Sequence, residues 1–182
     1  MRKIRGGLAF SVMGNHDDRL RRWLRGNKVH IAHGLETTIA EFRQESGEFR
    51  ARVEDFLSGF PSHLILDGGQ LIVAHAGMRR EFIGDPHPRV MRYCMYGETT
   101  GEVDHYGRPI RLPWAQDYTG RAFVAYGHNP VESPSWTDRT VNLDTGCVFG
   151  GYLSVLRWPE KEIEQVRALK TYCPRAGWKE TF

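Results

Sequence analysis

The feature that most constrains the fold is the run Gly14-Asn15-His16-Asp17, which follows the apolar stretch Leu8–Met13. We predict that residues 8–13 form a short buried strand and that an arginine-rich helix runs from Asp17 to Arg25. A strand that ends at a glycine would place an amide oxygen, an imidazole and a carboxylate at one edge. Asn15 offers a neutral oxygen to a divalent cation, and His16 can donate a proton beside it.

Three later segments repeat this arrangement of His, Asn or Asp after an apolar run. They are His75-Ala76-Gly77, Gly127-His128-Asn129-Pro130 and Asn142-Leu143-Asp144-Thr145-Gly146. One amide oxygen and two imidazoles suit Mn²⁺, Zn²⁺, Fe²⁺ or Ni²⁺ better than Ca²⁺. Two divalent cations about 3.5–4 Å apart neutralise the anionic oxygens that protect a phosphoester from hydrolysis.

These patterns predict a phosphoesterase site. We expect Asn15, His75 and His128 to be metal ligands, His16 to be a general acid that contacts the phosphoryl group, and Asp144 to lie near the same edge. Each residue also has a structural alternative. Asn15 is a common turn or cap residue, a histidine at a strand end is often a hydrogen-bonded surface residue, and Asp-Thr-Gly is a frequent turn composition.

Composition limits the class of protein. A chain of 182 residues with 40% hydrophobic and 26% charged residues is typical of one soluble globular domain. The sequence contains no run of about 18 apolar residues and no secretory signal, and its three cysteines argue against a disulfide framework. We therefore predict a cytoplasmic protein without a membrane partner. Of the 25 basic residues 20 are arginine, which suits phosphate binding or reflects a GC-rich genome.

Periodicity predicts the remaining elements. Helical patterns cover 35–42 and 49–57, and a hairpin joins strands at 63–66 and 70–74. Strands are expected at 122–126, 140–143 and 152–156, and residues 162–169 fit either a strand or a short helix. Residues 78–121 lack periodicity, which favours a long insertion that faces the substrate.

Taken in order, Gly-Asn-His-Asp, His-Ala-Gly and Gly-His-x-Pro resemble the calcineurin-like metallophosphoesterase superfamily. Longer stretches resemble the central phosphatase module of bacterial polynucleotide kinase-phosphatases, which repair RNA. The resemblance spans about residues 7–172. These stretches are His33–Thr38, Tyr96–Glu102 with Trp114 and Tyr126-Gly127-His128, and Asn142–Gly151 running on to Glu160.

The resemblance implies an α/β fold, a metallophosphoesterase-type β-sandwich flanked by helices. It also implies a binuclear centre served by Mn²⁺ or Ni²⁺, with one metal held by Asn15, His75 and His128. Asn15 and His16 would contact the substrate, His16 would assist the leaving group, and Asp144 matches an aspartate important for activity. The implied reaction removes 3′-phosphates and 2′,3′-cyclic phosphates, so the partner would be a phosphorylated polynucleotide end, most readily RNA.

Members of the superfamily carry Asp-x-His and Gly-Asp-x-x-Asp-Arg-Gly motifs before Gly-Asn-His-Asp, and neither occurs in residues 1–13. We therefore expect residues 1–172 to be a partial metallophosphatase domain, N-terminally truncated, whose missing upstream segment is a partner. Residues 173–182 would be a linker or the truncated start of a following module. Alone, such a chain should bind one cation weakly and show little turnover, with exposed apolar surface near residues 8–13.

Two alternatives remain open from the sequence. One is a non-catalytic remnant that binds nucleic acid or a partner through the arginines of the first helix, Arg19, Arg21, Arg22 and Arg25. The other is a phosphatase of the same superfamily that acts on dinucleoside polyphosphates or phosphoproteins.

Overall fold

Four helices precede or interrupt the sheet of this protein, whose structure is a computed structural model that describes residues 4, 6–32, 34–174 and 177. The helices are α1 (Asn15–Leu24), α2 (Leu35–Gln44), α3 (Gly47–Ser58) and α4 (Pro88–Tyr96). His33, which belongs to one of the stretches that carry the family resemblance, lies outside the described residues.

Local sequence explains where two of these helices begin. The Ser46 hydroxyl accepts a hydrogen bond of 3.1 Å from the Phe49 N–H and caps α3. Pro88 opens α4 after His87, whose ring nitrogen accepts from the Arg89 N–H at 3.2 Å. Proline suits the first turn of a helix because its missing N–H would have no intrahelical partner there.

A mixed five-stranded sheet follows α3. Its strands are β1 (His63–Leu66), β2 (Leu71–Ala74), β5 (Phe123–Tyr126), β6 (Ser135–Thr137) and β7 (Thr140–Asn142), in the order β1-β2-β5-β7-β6. The central strands β2, β5 and β7 are parallel, whereas β1 and β6 pair antiparallel at the two edges. Two hairpins complete the described strands, β3 (Thr99–Val103) with β4 (Pro109–Arg111), and β8 (Tyr152–Arg157) with β9 (Glu162–Arg167).

The two faces of the sheet carry separate apolar cores because successive side chains of a strand point to opposite faces. Ile72 and Val124 pack with Val90 and Cys94 of α4 on one face. Leu71, Ala125 and Val141 pack on the other face, where hairpin residues Leu156 and Ile163 cover them. The central sheet therefore lies between a helical layer and a β-hairpin layer, which agrees with the predicted α/β fold in which helices flank a sheet.

The prediction of a buried strand at residues 8–13 is wrong. These residues form no strand, and the side chains of Leu8 and Phe10 are 81% and 69% exposed. Met13 alone in this segment is deeply buried, and its N–H donates to the Pro61 carbonyl at 2.9 Å. An apolar run becomes a strand only where a neighbouring strand supplies a hydrogen-bonding ladder, and none of the described strands pairs with it. The expectation of exposed apolar surface here is met at Leu8 and Phe10.

Residues 78–121 are more ordered than their sequence indicates. They contain α4 and the β3–β4 hairpin, together with short 3₁₀ turns at Arg80–Phe82 and Trp114–Asp117. Residues 162–169 resolve as strand β9, which ends at Arg167. No helix of the described residues has the length and apolarity needed to cross a membrane. Residues 175, 176 and 178–182 of the predicted linker lie outside the described residues, so the domain limits of 1–172 and 173–182 stay predictions.

Candidate active site

Asn15, His75 and His128 converge on one point. The Nε2 atom of His75 lies 2.8 Å from the Asn15 amide oxygen and 3.0 Å from Nδ1 of His128. The two imidazole rings stand 4.8 Å apart between centroids at an interplanar angle of 59°. The start of α1 and the segments that follow β2 and β5 therefore bring together the three residues that the sequence predicts as metal ligands. Their role as ligands remains a prediction.

The start of α1 holds Asn15 against the His75 ring. This helix begins at Asn15, two residues earlier than predicted, so Asn15 and His16 form its first turn. The Asp17 carboxylate accepts a hydrogen bond of 3.0 Å from the Gly14 N–H and fixes this turn. A Cβ atom at Gly14 would stand 3.3 Å from the His75 ring and 2.8 Å from the Asp17 carboxylate, so a side chain here would press against both groups.

The loop after β5 positions His128. The Gly127 N–H donates to the His75 carbonyl at 2.9 Å, which joins the ends of β2 and β5. His128 adopts a φ of 73°, in the left-handed region that few residues other than glycine occupy. Such conformations cost of order 1–3 kcal/mol and are found where the surrounding structure fixes a functional side chain.

Both imidazoles are neutral near pH 7. Burial lowers the pKa of His75 to about 4, with smaller contributions from the positive charges of His16 and Arg111. Burial also lowers the pKa of His128 to about 3, and the positive charge of Arg111 is the next largest cause. A neutral imidazole keeps a nitrogen lone pair, which is the form that a metal ion binds.

The donor set fits a divalent transition metal. Ligands about 2.1 Å from an ion at right angles to one another lie about 3 Å apart, close to the separations found here. His75 Nε2 can carry at most one hydrogen atom. It therefore cannot donate a full hydrogen bond to both Asn15 and His128. Among the described residues no group of three His, Cys, Asp or Glu side chains forms a metal site, and here the third donor is the Asn15 amide.

Cationic groups surround the two imidazoles. The side chain of Arg111 from β4 is half-buried, burial lowers the pKa of its guanidinium, and it donates to the Tyr96 carbonyl. The Tyr96 ring in turn stands edge-on to the His128 ring, with 6.4 Å between centroids. No ion pair joins Arg111 to a carboxylate in the described part of the chain. A buried cation without an acidic partner favours the binding of an anion.

Two further nitrogen atoms at this site are buried and lack a hydrogen-bond partner among the described residues. They are Nη1 of Arg19 and Nε2 of His128. The positive charge of Arg19 also contributes to lowering the pKa of His128, which places it near that ring. Buried donors are normally satisfied by protein, water or a ligand, so either water or a bound anion could satisfy these atoms.

Asp144 lies beside this centre. Its Cβ stands 3.1 Å from the position that a Cβ of Gly127 would take, immediately before His128. Its carboxylate accepts from the Gly146 N–H at 3.1 Å, and its carbonyl accepts from Val131 at 2.8 Å. These bonds tie the loop that bears His128 to the loop after β7. His16, by contrast, is exposed at the start of α1 and acts on both site histidines through its charge.

Several curated proteins, which share one name, resemble this chain over most of its length. The bis(5′-nucleosyl)-tetraphosphatase PrpE [asymmetrical] of Anoxybacillus flavithermus is 44% identical over 168 residues, which are 90% of this chain and 69% of that protein. The protein of that name from Bacillus subtilis is 46% identical over 170 residues, which are 91% and 70% of the two chains. The chain belongs to the PrpE family. The members of this family named here are phosphatases, a class of hydrolase.

The fold of this PrpE-family chain also occurs in a solved structure described as "a putative diadenosine tetraphosphatase". The likeness has a TM-score of 0.62 at 22% identity and covers 92% of this chain and 72% of the other. No protein-family model matches the chain. The comparisons do not show the expected closeness to polynucleotide kinase-phosphatases, and they do not identify a metal.

Proposed function

We propose that this chain carries a metal-dependent phosphatase site that hydrolyses dinucleoside tetraphosphates asymmetrically, into a nucleoside triphosphate and a nucleoside monophosphate. The observation that carries the proposal is the convergence of Asn15, His75 and His128. Nε2 of His75 lies 2.8 Å from the Asn15 amide oxygen and 3.0 Å from Nδ1 of His128. Relatives of 44% and 46% identity, named for that activity, support the choice of substrate. The sequence-based alternative of a phosphatase acting on dinucleoside polyphosphates thus replaces the RNA end as the preferred substrate.

Asn15, His75 and His128 would hold the cation. Their nitrogen and amide ligands favour Mn²⁺ or Ni²⁺ over Ca²⁺, in agreement with the resemblance to the wider superfamily. When bound, such a cation neutralises the negative charge of phosphoryl oxygens. All three side chains are neutral, so we expect binding to be weak and dependent on millimolar metal. We also propose that a second metal ion completes a binuclear centre, as the resemblance to the superfamily implies.

Arg111 and Arg19 would bind the polyphosphate. A tetraphosphate chain carries several negative charges, and the guanidinium group offers paired donors to phosphoryl oxygens. Arg111 is half-buried without a carboxylate partner in the described residues, and Nη1 of Arg19 is a buried donor without a partner there. A bound phosphate would satisfy both groups and replace the solvation that they lose by burial.

His16 would donate a proton to the oxygen of the leaving nucleotide. It lies next to Asn15 in the first turn of α1 and is exposed, so a substrate can reach it. Protonation of the leaving oxygen by a positioned histidine contributes typically about 10²–10⁴-fold to rate. Asp144 would act as a positioning residue, because its loop contacts Gly127 and Val131 on either side of His128.

The arginine-rich face of α1 does not support a nucleic-acid-binding remnant. Arg21 pairs with Asp18 at 2.6 Å, and Arg25 pairs with Glu54 of α3 at 2.6 Å. Two of the four arginines therefore join acidic groups of the same chain. Arg19 lies near His128 instead, which leaves the exposed Arg22 as the remaining cation of that set.

The test is to incubate the purified chain with diadenosine tetraphosphate and millimolar Mn²⁺ and to separate the products by anion-exchange chromatography. We expect slow, metal-dependent formation of ATP and AMP in equal amounts, which the His75→Ala variant loses. Two equivalents of ADP would show symmetrical cleavage and contradict the proposal. Release of phosphate from a 3′-phosphorylated RNA oligonucleotide, with no cleavage of the tetraphosphate, would restore the RNA-end hypothesis.

A further inference from the structure

A cavity of about 290 Å³ opens beside the candidate active site. It is lined by residues 78–81, which begin three residues after His75, and by residues 112–114 and 117–119 after β4. Aromatic and charged side chains line it. The aromatic ones are Tyr93, Trp114 and Tyr118, the charged ones include Arg80 and the ion pair of Arg79 with Glu98, and Thr119 lies at an exposed position.

Trp114 connects this cavity to both loops of the active site. Its indole N–H donates to the Ala76 carbonyl at 3.1 Å, and its ring stands 4.8 Å from the Tyr126 ring. A Cβ at Gly77 would stand 2.8 Å from the indole nitrogen, so glycine is required for this close approach. Trp114 therefore packs against the residues that immediately follow His75 and shortly precede His128.

The distance to the active site suits one part of the substrate. Met78 lines the cavity and follows His75 by three residues, so their Cα atoms lie within about 11 Å of each other. In a dinucleoside tetraphosphate, the ribose on the terminal phosphate is separated from that phosphorus by a single oxygen. The second nucleoside lies beyond three further phosphates and would fall outside this range.

The size and lining of the cavity suit a nucleoside. Small-molecule sites commonly occupy about 300–1,000 Å³, and this cavity is at the lower end, with room for one nucleoside. Aromatic rings stack on nucleobases, which contributes to affinity with little dependence on the base. The carboxylate of Asp117 can accept hydrogen bonds from ribose hydroxyls or a base amino group, whereas one oxygen of Glu98 already pairs with Arg79.

We propose that this cavity binds the nucleoside attached to the phosphate that is hydrolysed, with its base against the aromatic lining and its 5′-phosphate directed toward His75 and His128. This inference rests on the proposed function for the identity of the substrate. The occupancy of the cavity by a nucleoside can nevertheless be measured without metal or turnover.

The experiment compares Thr119→Trp with Thr37→Trp by titration of adenosine, in the absence of metal, using calorimetry. Thr119 is exposed and lines the cavity, so tryptophan there fills the space without replacing a core residue. Thr37 is exposed on α2 and does not line the cavity. We expect adenosine to bind the parent chain and Thr37→Trp equally. Thr119→Trp should bind it about tenfold more weakly, because the indole fills the space and keeps the base from stacking on the aromatic lining.

The kinetic readout separates this inference from the proposed function. With diadenosine tetraphosphate and Mn²⁺, Thr119→Trp should raise KM about tenfold, the size of one base-stacking contact, whereas Thr37→Trp should keep the KM of the parent. Equal adenosine binding by the parent and Thr119→Trp would overturn the nucleoside site even if hydrolysis occurs. Cavity-dependent adenosine binding without any hydrolysis would support the nucleoside site and reject the proposed reaction.

Discussion

Nε2 of His75 lies 3.0 Å from Nδ1 of His128, although 53 residues separate them in the chain. The parallel pairing of β2 with β5 explains this contact, since Ile72 lies opposite Val124 and each histidine follows the end of its strand. The Gly127 N–H bond to the His75 carbonyl continues the pairing one step beyond the strands. Ligand sites form at the carboxyl ends of parallel strands for this reason.

Replacement of His75 by alanine should abolish specific Mn²⁺ binding. His75 is the central member of the triad, because its Nε2 contacts both Asn15 and His128. Loss of even an outer-shell partner of a metal ligand typically costs about 10–100-fold in affinity, so we expect at least that loss here. Electron paramagnetic resonance of free Mn²⁺ gives the affinity. The control His105→Ala removes an exposed histidine of the β3–β4 turn. Equal Mn²⁺ affinities for His75→Ala and His105→Ala would contradict the ligand assignment.

Replacement of Arg111 by alanine should raise KM for diadenosine tetraphosphate. We expect an increase of about tenfold or more, because hydrogen bonds to charged groups contribute about 1.5–3 kcal/mol. Arg111→Lys should restore only part of the loss, since lysine lacks the paired donors of a guanidinium. Arg108→Ala is the matched control on the same hairpin, where Arg108 pairs with Asp104 at 2.8 Å. An Arg111→Ala variant with unchanged KM would remove Arg111 from substrate binding.

The sequence predicts four of the five central strands because they are short, apolar runs that end in glycine or polar residues, but it does not predict the edge strand β6. The predicted limits for β1, β2, β5, β7 and β8 differ from the observed ones by at most one residue at either end. The stretch 8–13 has the same apolar character, yet it forms no strand. Strand formation depends on a hydrogen-bonded neighbour, and the apolar pattern of one segment does not reveal whether a neighbour is present.

The candidate site was predictable where residues follow strands or open a helix, as His75, His128 and Asn15 do. Arg111 was not predicted, because it lies in a stretch of mixed composition whose hairpin register brings it opposite Thr99. Its contact with Tyr96, whose ring lies beside His128, and its effect on the pKa of both site histidines place it near the site. The short segment Gly107-Arg108-Pro109 is the signal that could have indicated the turn before β4.

The stability of the fold should depend on the protonation of His63 below neutral pH. Burial lowers the pKa of His63, and its Nε2 accepts a hydrogen bond of 2.9 Å from the Gly84 N–H. The unfolded chain protonates this residue near pH 6.5, whereas the folded chain keeps it neutral to lower pH. Its contribution to stability is therefore fully present above about pH 6.5 and declines as the pH falls below that value.

The measurement for His63 is urea unfolding at pH 7.5 and pH 5.5. The free energy of unfolding of the parent should fall more between these values than that of His63→Gln, which does not titrate in this range. His30→Gln, at an exposed histidine, should keep the full pH dependence of the parent. An identical pH dependence for the parent and His63→Gln would show that His63 does not supply this effect.

Cys94 should resist thiol reagents in the folded protein. It is fully buried against Ile72, Val90 and Val124, and burial raises the pKa of its thiol to about 12. The thiolate is the reactive form, so at pH 8 the reactive fraction is only about 10⁻⁴. Titration with Ellman's reagent should detect two fast thiols, Cys147 and Cys173, and a third after denaturation. Three fast thiols in the native protein, one of which is lost in Cys94→Ser, would contradict this packing.

Gly14→Ala should weaken the metal site without unfolding the chain. A Cβ at this position would stand 3.3 Å from the His75 ring and 2.8 Å from the flexible end of Asp17, so the ring must move by a few tenths of an ångström. Such a shift separates His75 from Asn15 and should lower Mn²⁺ affinity several-fold, as expected when a group that orients a metal ligand is disturbed. Gly47→Ala is the matched control, because a Cβ there meets no atom within 4 Å and alanine favours the start of α3. We expect Gly47→Ala to raise the melting temperature slightly and to leave Mn²⁺ affinity unchanged. If Gly14→Ala binds Mn²⁺ as tightly as the parent does, this close approach does not position His75.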